Sequence, residues 1–135
     1  MINKRVLIVD DEPDLNLTLK ITLEENGFKV DSFTDPLSAL ENFREQAAGM
    51  YDMIILDIKM PEMNGFGLYR QIKKIDDKVK VCFLTASEMY YGAAYEDILN
   101  TLEVKCFIQK PIENKELVDR LNKIMIIDST ANKTR

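Results

Sequence analysis

Four short apolar runs in this chain each give way abruptly to a charged or hydroxyl group. Val6-Leu7-Ile8-Val9 stops at Asp10-Asp11, Met53-Ile54-Ile55-Leu56 at Asp57, Val81-Cys82-Phe83-Leu84 at Thr85, and Cys106-Phe107-Ile108 passes to Lys110. Continuous runs of this kind predict parallel strands buried on both faces. The stretch 28–33 alternates apolar and polar residues, as a half-exposed edge strand does. Between the strands the period becomes helical. Pro13 opens a helix in which Leu15, Leu19 and Leu23 recur every four residues, and Asn26-Gly27 ends it. A second helix is predicted from about Pro36 to Ala47, with Leu37, Leu40 and Phe43 inward. A third carries Leu68, Ile72 and Ile75 inward. The stretch 87–102 reads as a fourth, and residues 114–125 as the last, with Leu117, Leu121, Ile124 and Met125 along one face.

Strands alternating with helices are the signature of βαβ units with right-handed crossovers. In such open α/β sheets, ligands bind outside the carboxyl ends of the strands. The four polar stops therefore predict one shared site of Asp10, Asp11, Asp57, Thr85 and Lys110.

The chain has 135 residues, 46% hydrophobic and 30% charged, which suits one globular domain over 1–127 followed by a polar tail or linker at 128–135. Its net charge of -5 argues against direct nucleic-acid binding. Neither a signal peptide nor an apolar stretch long enough to span a bilayer is present, so a cytoplasmic location without membrane association is expected. Histidine is absent, which excludes histidine triads and histidine metal sites. Cys82 and Cys106 sit in apolar runs without a CxxC spacing and read as two buried thiols rather than a redox pair.

Three carboxylates at one sheet edge repel one another unless cations offset them. Lys110 supplies one positive charge. Oxygen ligands without histidine or cysteine select a hard ion such as Mg²⁺. A carboxylate beside such an ion can act as a nucleophile toward phosphorus. With Lys110 to neutralise one phosphoryl oxygen and the Thr85 hydroxyl to donate to another, the inventory suits phosphoryl transfer to Asp57.

These residues carry a family resemblance. Val6-Leu7-Ile8-Val9-Asp10-Asp11-Glu12-Pro13, Leu56-Asp57-Ile58-Lys59-Met60-Pro61 with Gly65, Leu84-Thr85-Ala86 and Gln109-Lys110-Pro111 resemble the receiver domain of two-component response regulators. The resemblance implies a single flavodoxin-like (βα)5 domain, with a five-stranded parallel sheet in the order 2-1-3-4-5 and helices on both faces. It implies Asp57 as phosphoacceptor, Thr85 and Lys110 as its catalytic partners, and Mg²⁺ held by Asp10, Asp11, Asp57 and the backbone carbonyl of Lys59. Asp10 would act through water. Thr85 and Phe107 would be the switch pair. Of the two backbone N–H groups that would complete the cradle, one belongs to Lys59 and the other to Ala86. The implied protein is a signalling switch rather than a metabolic enzyme. Its partners would be a sensor histidine kinase or phosphotransfer protein, and a downstream target reached through the face of the fourth helix, fifth strand and last helix. The resemblance also allows a phosphorylation-dependent homodimer.

Side-chain readings remain open at two other places. Glu12 could join the metal shell through water or serve as a helix N-terminal charge. The Lys59 side chain could shield the acyl phosphate, pair with an acid, or point into water. The stretch from Thr85 to Lys110 is longer than the family pattern, and Glu103-Val104 stands where a Gly-Ala pair is common. Tyr90, Tyr91 and Tyr95 fall in this stretch. A Mg²⁺-dependent phosphohydrolase would want an acid two residues after the nucleophile, where Lys59 stands. A receiver cut from a longer regulator lacking its output domain is the alternative reading.

Overall fold

A computed structural model describes residues 4–46, 49–86, 106–110 and 113–133. Their order is β1 (Arg5–Val9), α1 (Pro13–Glu25), β2 (Lys29–Phe33), α2 (Pro36–Glu45), β3 (Met53–Asp57), α3 (Gly65–Ile75), β4 (Lys80–Ala86), β5 (Cys106–Lys110) and a last helix, here α4 (Asn114–Lys133). The strands form one sheet in the order β2-β1-β3-β4-β5. All four pairings are parallel, with Ile8 opposite Ile55, Ile55 opposite Cys82, and Leu84 opposite Ile108. The flavodoxin-like order expected from the resemblance is the one found.

Alternate residues of the central strands feed two separate cores, which explains their unbroken apolar sequences. Leu7, Val9, Ile54, Leu56, Val81 and Phe83 face α2 and α3. Val6, Ile8, Met53, Ile55, Cys82 and Leu84 face α1 and α4, meeting Leu19, Leu23, Leu117 and Leu121. β2, at the edge, has only Val30 fully inside, as its alternation predicted.

The helix boundaries have local causes. Pro13 sits at the start of α1, and Gly27, with a φ of 93°, takes the left-handed conformation just past its end. Asp35 caps α2 through the amides of Leu37 and Ser38. Asn64 caps α3 through the amide of Gly67, at 2.9 Å.

Several details differ from the sequence expectation. Leu37 is exposed rather than inward. It lies in the first turn of α2, off the stripe of Pro36, Ala39, Leu40 and Phe43 that meets the sheet. β4 runs on to Ala86, and α4 continues to Lys133 through residues expected to form a polar tail. Cys82 is fully buried and disulfide-bonded, not a separate thiol. The chain's only other cysteine, Cys106, is its register partner on β5. Matched positions on adjacent strands share a face, a proximity that spacing along the chain could not reveal. The expected fourth helix over 87–102, with Ser87, Tyr90, Tyr91 and Tyr95, lies outside the described residues.

A polar network ties β1, β2, α2 and the entry to β3 at the rim opposite the carboxyl ends. The Arg5 guanidinium donates to Asp31 at 2.9 and 3.2 Å, the Tyr51 hydroxyl donates to the same carboxylate at 2.7 Å, and Asn42 donates to the Tyr51 oxygen at 2.9 Å. The Arg5 amide meets the Asp52 carboxylate. Burial pushes the Tyr51 hydroxyl up to about 12, and the bond to Asp31 adds to the effect. Burial acts to raise the Asp31 carboxyl too, but the bonds from Tyr51 and Arg5 prevail and hold it below its ordinary value.

Candidate functional site

Three strand ends bring charged groups together. Asp10 directly follows β1 and is completely buried, Asp57 is the last residue of β3, and Lys110 the last of β5. Strands one and three are hydrogen-bonded neighbours, so their carboxylates arrive side by side. Lys110 must reach from the far edge across β4, and a four-carbon stem does so. Its Nζ lies 3.1 Å from Asp10 Oδ2, 3.2 Å from Asp57 Oδ1 and 3.0 Å from Glu12 Oε1.

Backbone contacts fix the loops that carry these acids. The Asp10 amide donates to the Phe33 carbonyl at 3.1 Å. The buried Asn16 amide group, on α1, donates to the carbonyls of both Asp10 and Phe33, at 3.0 and 2.8 Å. Asp10 Oδ1 in turn accepts the Glu12 amide at 3.0 Å. Beyond Asp57, the Ile58 amide continues the ladder to the Leu84 carbonyl at 3.1 Å, and the Gly65 amide closes the following loop onto the Ile58 carbonyl at 2.7 Å. Lys59 is exposed in that loop, and Glu62 there has a φ of 70°.

Buried like charges move the titrations. Burial raises the Asp10 carboxyl above its ordinary range, against the Glu12 amide and Lys110. Asp57 is pushed up to about 7, chiefly by burial and then by the neighbouring charge of Asp10, with Lys110 opposing. Burial alone would lower Lys110; its hydrogen bond to Glu12 and the charges of Asp10 and Asp57 outweigh this and hold it above its usual value.

The residues fit a divalent cation. Asp10, Asp11 and Asp57 each offer a carboxylate oxygen, all within 4.8 Å of one another. Asp10 Oδ2 is buried and accepts no hydrogen bond of good geometry, although Lys110 lies within ion-pair distance. An oxygen so placed lacks a full partner, and a hard cation would supply one.

The structure thus brings together Asp10, Asp11, Asp57 and Lys110, as the strand-end pattern predicted. Thr85 and Ala86 lie at the end of β4, opposite Gln109 and Lys110 in register. Phe107 is half-buried on β5, its ring stacked on Phe83 with centroids 5.3 Å apart. Two residues were not anticipated in their observed roles. Asn16 anchors the Asp10 loop, and its signal was a polar residue on the same stripe as Leu19 and Leu23. Glu12 binds Lys110, a pairing across 98 residues that no local pattern encodes.

Comparison with known proteins agrees with this geometry. Residues 6–122 match the family described as response regulator receiver domain. The chain is 34% identical over 122 residues to the chemotaxis protein CheY of Thermotoga maritima, covering 90% of this chain and 97% of that one. It is 30% identical to the response regulator SaeR of Staphylococcus aureus, covering 89% of this chain and half of that protein. The crystal structure of a CheY-like receiver domain protein from Methanospirillum hungatei superposes with a TM-score of 0.84 at 22% identity, over 96% of this chain and 99% of that one, a likeness of fold.

Proposed function

Because the chain belongs to the response regulator receiver family of two-component signalling, we propose that it is a phosphoacceptor switch whose acceptor is Asp57. The observation that carries this reading is the Asp57 carboxylate at the end of β3, 3.2 Å from the Lys110 ammonium and grouped with Asp10 and Asp11.

The chemistry follows from these positions. An Asp57 oxygen attacks phosphorus, and the bond from phosphorus to the donor breaks. For a kinase phosphohistidine, the electron pair returns to the imidazole. Lys110 neutralises one phosphoryl oxygen. Asp10, Asp11, Asp57 and the Lys59 carbonyl would hold Mg²⁺, which when bound screens the anionic oxygens of both reactants. The Thr85 hydroxyl and the amides of Lys59 and Ala86 complete the cradle. Attack by water on the acyl phosphate releases inorganic phosphate and restores the carboxylate. Turnover of this kind resets a switch and serves no metabolite.

The signal is a shift between two conformations of one fold, with Thr85 and Phe107 as the moving pair. The stacking of Phe107 on Phe83 supports this, since it links β5 to the core beneath α3. The donor is a sensor histidine kinase or a phosphotransfer protein, and the receiver of the signal is a protein that binds the face containing β5 and α4. Among the described residues no helix is long and apolar enough to cross a membrane, in keeping with a cytoplasmic switch.

Intact mass after incubation with Mg²⁺ and acetyl phosphate tests the proposal, with beryllofluoride binding as a second readout. One added phosphoryl group that requires Mg²⁺ and is absent from Asp57→Asn is the expected result. Failure of both acetyl phosphate and beryllofluoride to engage the wild-type protein would overturn it.

A further inference from the structure

The three carboxylates around Lys110 are not equivalent. Asp10 is completely buried, and its other oxygen is engaged by the Glu12 amide. The Asp57 side chain is 8% exposed, whereas that of Glu12 is 63% exposed. Glu12 nevertheless makes a 3.0 Å hydrogen bond with the Lys110 ammonium.

Glu12 also occupies the N-cap position of α1, yet its side chain makes no capping hydrogen bond. N-cap oxygens ordinarily accept amide bonds from the first turn. Here the side chain reaches across to β5 instead. Nor does Glu12 belong to the cation-binding group, which comprises Asp10, Asp11 and Asp57. Beyond the two roles left open by the sequence, the side chain holds Lys110.

An ammonium has three N–H donors. One is given to Glu12, while Asp10 and Asp57 stand within ion-pair distance, and a phosphoryl group bearing nearly two negative charges must draw on the same ammonium. The partners of Lys110 compete with such a group when it arrives. Asp57 gives up its carboxylate charge when its oxygen bonds to phosphorus, and releasing Asp10 would strand a buried charge, which is costly. Releasing Glu12 returns an exposed carboxylate to water.

We infer that Glu12 is a positioning residue: its carboxylate occupies the phosphoryl group's place on Lys110 in the resting state and competes with that group for the ammonium. The inference rests on the phosphoacceptor reading of Asp57. It predicts that the resting contact weakens the binding of a phosphoryl group and its analogues.

The test is the dissociation constant of beryllofluoride, a non-covalent phosphoryl stand-in, at saturating Mg²⁺, for wild type, Glu12→Gln and Glu12→Asp. Glu12→Gln removes the charge. Glu12→Asp keeps the charge but shortens its reach to Lys110. Both variants should bind beryllofluoride about threefold to tenfold more tightly, the span between an exposed ion pair and a charge-assisted hydrogen bond. Their Mg²⁺ dissociation constants, measured without beryllofluoride, should stay within about threefold of wild type, a change due to lost surface charge alone. Tightening in Glu12→Gln but not in Glu12→Asp would mean action by charge at a distance and would overturn the inference. So would a much larger loss of Mg²⁺ affinity, which would place Glu12 among the metal ligands, or unchanged beryllofluoride affinity in both variants. If wild-type protein itself bound no beryllofluoride, the phosphoacceptor reading would fail first and take this inference with it.

Discussion

Gly65 rests directly against the backbone of Asp57. A Cβ on Gly65 would collide with the Asp57 carbonyl oxygen and lie 2.9 Å from the Cα of Ile58. The first residue of α3 is thus pressed onto the strand end that carries the proposed acceptor. Gly65→Ala must push α3 outward or displace the end of β3. It should cost about 1–3 kcal/mol, the usual penalty for overpacking, read as a lower urea midpoint. The displaced carboxylate should also bind Mg²⁺ more weakly. Unchanged stability would mean that the loop yields freely.

Asp57 dictates an unusual pH response. Its carboxyl titrates near 7 in the folded protein against an ordinary value of 3.8. Between those limits the folded state holds a proton that the unfolded chain has lost, so stability falls as pH rises through the window. Asp10, raised as well, acts in the same direction. Without divalent cations, the melting temperature should decline between about pH 4 and pH 7. Asp57→Asn should remove much of that decline and raise the melting temperature at the upper end by about 3–6 °C, what 1 kcal/mol or so moves in a domain of this size. Saturating Mg²⁺ should flatten the wild-type profile. A flat profile in its absence would show that the buried acids are less strained than their positions imply.

Asn16 holds the carbonyl of Asp10 from inside α1. In Asn16→Leu that carbonyl loses its side-chain donor, while the Phe33 carbonyl keeps the Asp10 amide. The cost should be about 1–3 kcal/mol. Asn16→Asp should be worse, since it sets a carboxylate against two carbonyl oxygens. Chemical denaturation of the pair gives the ranking, and Leu proving worse than Asp would show that packing dominates at this position.

Much of this architecture is written locally in the chain. Runs such as Met53 to Leu56 announce strands buried on both faces, and the polar residue ending each run marks the rim where the site lies. Helix faces are less legible: Leu37 and Leu40 both read as inward, but only Leu40 lies on the stripe with Pro36, Ala39 and Phe43 that is buried. Pairings between distant segments are written nowhere locally. The Glu12–Lys110 bond, the Asp31–Tyr51 bond and the matched register of Cys82 and Cys106 all follow from strand order. A sequence pattern supplies that order only through resemblance to a known fold.

Glu62 adopts a φ of 70° in the turn between Asp57 and α3. This left-handed conformation costs a side-chain-bearing residue about 1–2 kcal/mol. Glu62→Gly should recover part of it, net about 0.5–1 kcal/mol after the added freedom of the unfolded chain. The gain would appear as a higher urea midpoint at unchanged slope. A loss would mean that the Glu62 side chain contributes more than its backbone costs.

The network of Arg5, Asp31, Tyr51 and Asn42 gathers strands and helix at one rim of the sheet. The proposed chemistry lies at the other. The sheet therefore resembles a fan clasped at its handle, with its charged tips spread. In the proposed switch, exchange of one ion for another would act on the tips and leave the clasp in order. On that proposal the protein would be set and reset without unfolding.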